Sequence, residues 1–191
     1  MLLIPAAGMA ALVVAAPASA KHGGGGAGGK TPPAKQAPAP PPCANADAVA
    51  TSLTTAQLRD ALLCLVNAQR RARKVPQLTA EPHLGRAAQD FAGTLTPPRK
   101  LNDRGRDGST PQSRAAAAGY AGGKAANAFV GEVLGRSIGT SATPSARVND
   151  WLGTAATRKL LMSPRFHDAG FGAATTRQTT TFVVALGVVT G

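Results

Sequence analysis

The sequence predicts an α+β fold with an antiparallel sheet. Helix-period segments fill the first half of the chain, beginning at Thr54 and near Pro82, whereas strand-like runs close it, over residues 170–175 and 180–189. Helices that come first and strands that come mostly last do not make the alternating units of a doubly wound parallel sheet. The length of 191 residues suits one domain with an appendage, at about 150 residues per domain.

The first 20 residues carry no charge and end in Ala18, Ser19 and Ala20, the small-x-small pattern at which a secretory signal peptide is cut. Cleavage is expected after Ala20. The apolar run between Pro5 and Pro17 is shorter than the ~20 residues needed to span a bilayer, which favours export over anchoring. No basic residue precedes it. Residues 21–42, KHGGGGAGGKTPPAKQAPAPPP, have almost nothing to bury and are expected to form a disordered linker, flexible in its Gly half and extended in its Pro half. The folded domain is expected over residues 43–191. The pair Cys43 and Cys64 reads as one disulfide in an exported chain.

Thr54 with Gln57 makes a capping box for a helix running to Lys74, with Leu58, Leu62, Leu65, Val66 and Gln69 on one face. Arg70, Arg71, Arg73 and Lys74 at its end can be read in two ways. They complement the negative end of the helix dipole as solvated charge, or they form an anion-binding patch. The helix starting near Pro82 should bury Leu84, Ala87, Ala88, Phe91 and Leu95. A polar, Gly-containing stretch from Pro97 to Pro111 leads to a short helix over 112–118, stopped by Gly119. A strand over 127–134, one helix over 146–161 and a final hairpin complete the expectation.

Composition narrows the function classes. Two Cys and three His, widely scattered, cannot build a closed Cys/His zinc module. The folded part carries 18 Lys and Arg against nine Asp and Glu, net +9, which attracts anionic envelope polymers or phospholipid head groups. Nucleic acid ranks lower, because the charges are dispersed, base-stacking aromatics are scarce and the destination lies outside the cell. The charge can equally serve solubility alone.

Asn67, Arg70, Pro76, Leu78, Leu84, Ala87, Ala88 and Ala92 resemble, in type and spacing, the opening helices of the bacterial SCP-like members of the CAP superfamily, the group of cysteine-rich secretory proteins, antigen 5 and pathogenesis-related proteins. A following block aligns with residues 101–108, Ser109 or Thr110, Arg114 and Ala118-Gly119-Tyr120. Gly131-Glu132-Val133-Leu134 matches its G-E-N-I block, and Trp151, Thr154, Thr157, Arg158, Leu160 and Leu161 match its W-x-x-S-x-G-H-R-x-x-L-L block. Ser163 to Gly172, SPRFHDAGFG, resembles the family's approach to its last strands. In order, these blocks cover residues 43–191.

The resemblance implies an α-β-α sandwich whose cleft, in relatives, is lined by two His and one or two acids that can hold a divalent cation. Here Asp103 stands at the first His position, Thr157 at the second and Thr154 near the second acid, while Glu132 is retained. Two carboxylates suit at most a weak, hydrated Mg²⁺ or Ca²⁺ contact at Glu132 and Asp103, so no metal or other cofactor and no catalytic residue is expected. His22, His83 and His167 fall at unmatched positions. The reading favoured is a secreted or envelope-associated binding protein that recognises an anionic polymer, a lipid or a protein partner. The alternative is a metal-dependent or serine-type hydrolase, against which no His occupies a matched cleft position.

Overall fold

A computed structural model describes residues 42–97 and 99–190. The expected leader lies outside these residues, and so does the expected linker apart from Pro42.

Helix α1, Thr55–Ala72, starts where Thr54 accepts from the Gln57 amide and the Gln57 side chain accepts from the Thr54 amide, the reciprocal cap read from the sequence. Its buried face is Leu58, Ala61, Leu62, Val66, Asn67 and Arg70, while Leu65 and Gln69 stay partly exposed. Cys64 on this helix is joined to Cys43 in a disulfide that closes the N-terminal segment of the domain onto α1. Strand β1, Thr79–Ala80, is followed by α2, Pro82–Thr94, which buries the five residues expected of it, Leu95 acting as its C-cap. Helix α3, Pro111–Ala117, ends before Gly119, whose φ of 102° lies in the left-handed region where a glycine fits without strain.

Strand β2, Ala128–Ile138, is followed by helices α4, Pro144–Gly153, and α5, Ala155–Leu161, and then by strands β3, Asp168–Thr176, and β4, Thr179–Val189. The single helix expected over 146–161 is thus two helices. Gly153 is a poor helix former, and Thr154 turns extended (φ −93°, ψ 128°) to become the N-cap of α5.

The sheet order is β1-β3-β4-β2. Its long strands pair antiparallel, as expected, with Glu132 opposite Ala185 and Phe171 opposite Val184. Two-residue β1 adds a parallel edge, Thr79 to Asp168, too short to leave a periodic signal. Side chains alternate across the pleat. Phe182, Val184 and Leu186 of β4 join Leu62, Val66, Val148, Trp151 and Leu161 of α1, α4 and α5 in one core. Val183 and Ala185 join Leu84, Ala88, Phe91 and Ala115 of α2 and α3 in the other. The sheet therefore lies between two helical layers, an α-β-α sandwich.

Two matched residues of the opening helix prove to hold this fold together. The Asn67 side chain donates to the Leu78 carbonyl at 2.9 Å and accepts from the Leu78 amide at 2.8 Å, fixing the approach to β1. Arg70 is 0% exposed and donates to the carbonyls of Pro76, Leu161, Ser163 and Phe166. It is a buried clamp between α1 and the chain leaving α5, and does not belong to the solvated cluster in which the sequence placed it. Burial accordingly pushes its guanidinium below the usual arginine value.

Candidate functional site

Even-numbered residues of β2 face the α2/α3 layer, which aims Glu132 between Val130 and Leu134 toward α3. Helix α3 begins at Pro111 behind its cap Thr110, whose hydroxyl accepts from the Ser113 amide, and one turn later presents Arg114 to the sheet. Arg114 Nη2 donates to Glu132 Oε2 and to the Asp103 carbonyl, each at 2.6 Å, and Nη1 donates to the Ser109 carbonyl at 3.0 Å. The guanidinium also stacks 3.5 Å from the ring centre of Phe91 on α2. One arginine thus ties loop, sheet and helix layer together.

The Glu132 side chain is only 1% exposed, and its Oε1 makes no hydrogen bond, nor does Arg114 Nε. Burial raises the carboxyl to about 7, outweighing the opposing pull of Arg114, and the charge of Asp103 adds to the rise. Beside this pair, Asp90, Phe91, Thr94, Arg99, Arg106 and Arg114 line an open hollow of about 470 Å³. The Asp107 carboxylate on its rim accepts from the Ser109 amide at 2.9 Å, and hydrogen bonds from Ser109 hold it below the usual carboxylate range.

Of the four cleft positions, the structure brings two together. The exposed Asp103 meets Glu132 through Arg114, by its backbone carbonyl. Thr154 and Thr157 sit at the junction of α4 and α5. Thr157 Oγ1 donates to the Trp151 and Thr154 carbonyls, and Thr154 Oγ1 is 3.5 Å from the Asp150 carbonyl. Among the described residues neither hydroxyl bonds to Glu132 or Arg114.

A divalent cation does not fit these residues. A full positive charge already lies 2.6 Å from the one buried acid, where a dication would be repelled, and no group of three or more His, Cys, Asp or Glu is gathered among the described residues. The hydroxyl paired with an acid here is that of Ser109, and its partner Asp107, held below the usual carboxylate range, is a weak base. The His83 ring bonds Glu81 at 2.7 Å, against the other end of α2. Arg114 was legible as a matched residue, but nothing in the sequence announces its contact with Glu132, 18 positions away on a different element.

The sandwich with one charged cleft pair defines an α-β-α domain of the secretory CAP type. Residues 63–186 match the model of the cysteine-rich secretory protein family, and the chain belongs to that family. Among solved structures it is similar to an outer surface protein of Borrelia burgdorferi, with 21% identity, a TM-score of 0.59 and coverage of 72% of this chain and 96% of that one. It is also similar to an extracellular SCP-domain protein of Bacillus anthracis, with 15% identity, a TM-score of 0.55 and coverage of 73% of this chain and 44% of that one. These likenesses establish the fold. No curated protein matches the sequence.

Proposed function

We propose that this chain is an exported CAP-domain protein of the cell envelope that acts by binding an anionic partner and not by catalysis. The observation that carries the reading is the Arg114–Glu132 pair. The one acid retained from the family's cleft is buried against a guanidinium, and Asp103 and Thr157 stand where imidazoles would serve as metal ligands or bases. Hydrolysis needs a nucleophile or an activated water beside a base poised near neutral pH. Glu132 has the poise but not the access, its side chain being almost fully buried against Arg114.

Export is supported by the uncharged leader ending Ala18-Ser19-Ala20, by the disulfide, and by the extracellular and outer-surface names of the two similar proteins. An anionic partner is supported by the excess of 18 basic over nine acidic side chains in the folded part.

Two measurements on the secreted protein test the reading. Calorimetric titration with Zn²⁺ and with Mg²⁺ should give no saturable heat, and incubation with casein should yield no fragments. Saturable one-to-one zinc binding, or casein cleavage abolished by Glu132→Gln, would sink it.

A further inference from the structure

The basic end of α1 and the basic turn of α5, 85 or more residues apart in sequence, meet at a second hollow. Arg73, Ala155, Arg158, Lys159, Met162 and Ser163 line it, with a volume of about 560 Å³. Three cationic side chains converge there and no acid lines it. The ion pairs among the described residues are His83–Glu81, Arg114–Glu132 and Arg147–Asp150, all formed elsewhere.

The internal obligations of these cations are light. Arg73 spends Nη1 on the Gln69 carbonyl and side chain, Arg158 spends Nη1 on the Leu152 carbonyl, and Lys159 makes no hydrogen bond among the described residues. A guanidinium has five N–H donors and an ammonium three, so most remain free for a ligand. Arg71 and Lys74, next to Arg73 in sequence, and Arg165, which stacks on Phe129, are also exposed and have no acidic partner among the described residues. The helix dipole does not account for so many charges. The end of α1 presents only about half a negative charge.

From this geometry we infer that the hollow between the end of α1 and α5 is a docking site for a linear phosphate-bearing polyanion, with Arg73, Arg158 and Lys159 as its phosphate contacts. The inference rests on the anionic-partner reading above and gives that partner a place away from the Arg114 cleft. Two features favour a polymer over a membrane surface. The cations rim a shallow, open hollow along which a single extended chain can lie and meet all three. Met162, the large apolar side chain in the lining, is half-buried, and the most exposed ones among the described residues, Leu101, Ile138 and Val189, do not line the hollow, so no fully exposed anchor stands ready to insert into lipid.

The probe is end-labelled linear inorganic polyphosphate, titrated by fluorescence polarisation against the full chain at several salt concentrations. R73Q/R158Q/K159Q is compared with K100Q/K124Q/R177N, which removes the same charge elsewhere on the surface, and with the single exposed change Lys159→Glu. The hollow variant should bind about tenfold more weakly than the control variant, and its salt slope should fall by roughly two to three, as expected when three phosphate contacts are lost. Lys159→Glu should weaken binding in the same direction. Equal losses in the two triple variants would overturn the site while leaving a diffuse polyanion-binding surface. Failure of the native chain to bind either polyphosphate or phosphatidylglycerol vesicles would overturn both the site and the anionic-partner reading. Binding confined to phosphatidylglycerol vesicles, with none to polyphosphate, would overturn the polymer in favour of a membrane.

Discussion

Arg114 Nη2 stands 2.6 Å from Glu132 Oε2, in a place where the acid is almost completely out of water. The pair makes opposite demands. Burial favours a neutral carboxyl, the guanidinium favours an ionised one, and burial wins, leaving the group at about 7.

Stability should therefore fall as pH rises through the acidic range. Below the ordinary glutamate value of 4.5 the carboxyl is neutral in both folded and unfolded chains. Between 4.5 and about 7 the unfolded chain ionises first and is favoured, and above 7 the full penalty, on the order of 3 kcal/mol, is present. Glu132→Gln removes it. The melting temperature of the variant relative to the native protein should rise by roughly 6–12 °C between pH 4.5 and pH 8. A difference that stays flat across this range would show that Glu132 titrates normally.

Arg114→Met should cost more in alkaline than in acidic buffer. At pH 8 the acid beside Arg114 is mostly ionised, and without the guanidinium it must take up a proton, which adds about 1.4 kcal/mol to the loss seen at pH 5, where it is already neutral. The same change releases the Asp103 and Ser109 carbonyls, so amide exchange over residues 103–109 should accelerate. Denaturant titration at the two pH values, with exchange mass spectrometry, reads both effects.

Long periodic segments and local caps were legible in the sequence. The α1 capping box, the α2 face and the antiparallel hairpin are written in residues three or four apart, or in alternation. The break at Thr154 was not, because the apolar period continues across it while a single extended residue redirects the chain. The Arg114–Glu132 contact was half legible. Family blocks pointed to Glu132 and Asp103, yet the guanidinium that joins them comes from another element, and contacts across elements leave no period to read. Arg70 shows the opposite failure. Four basic residues close in sequence look alike until one turns inward to four carbonyls.

The Cys43–Cys64 bond should contribute about 3 kcal/mol by constraining the unfolded chain across a separation of 21 residues. The double variant Cys43→Ala/Cys64→Ala should retain the fold with a lower melting temperature. Intact-mass measurement of the unreduced secreted protein should show two hydrogens fewer than the reduced form. Two alkylatable thiols in that material would contradict the bond.

Glycines at 170 and 172 let α2 lie close on the sheet. A Cβ at Gly170 would come within 2.1 Å of the Leu84 carbonyl carbon, and one at Gly172 within 2.4 Å of that of Ala88, both backbone atoms that cannot swing aside. Gly170→Ala or Gly172→Ala should each destabilise by about 1–3 kcal/mol or more through overpacking. Gly93→Ala is the internal control, since a Cβ there meets nothing within 4 Å and the helix gains propensity. Equal midpoints in urea for the two classes of variant would refute the close approach.

Arg70 should be the least replaceable charged residue of α1. Its planar fork donates to the Pro76 carbonyl from Nε, to Leu161 and Ser163 from Nη1, and to Phe166 from Nη2, joining the end of the first helix to the turn that leads into β3. Arg70→Met keeps the bulk of the side chain but strands these carbonyls, and leaving buried acceptors unpaired costs about 1–3 kcal/mol each before relaxation. A net loss of roughly 3–5 kcal/mol is expected. Arg70→Lys keeps the charge yet concentrates it at one point that cannot reach all four oxygens, so it should recover less than half of that loss. Arg71→Met, at an exposed neighbour whose guanidinium reaches only the Gln77 side chain, should change stability by no more than about 0.5 kcal/mol. Urea unfolding of the three variants separates a buried clamp from a solvated charge. If Arg70→Met and Arg71→Met prove equally mild, the clamp does not bear on stability.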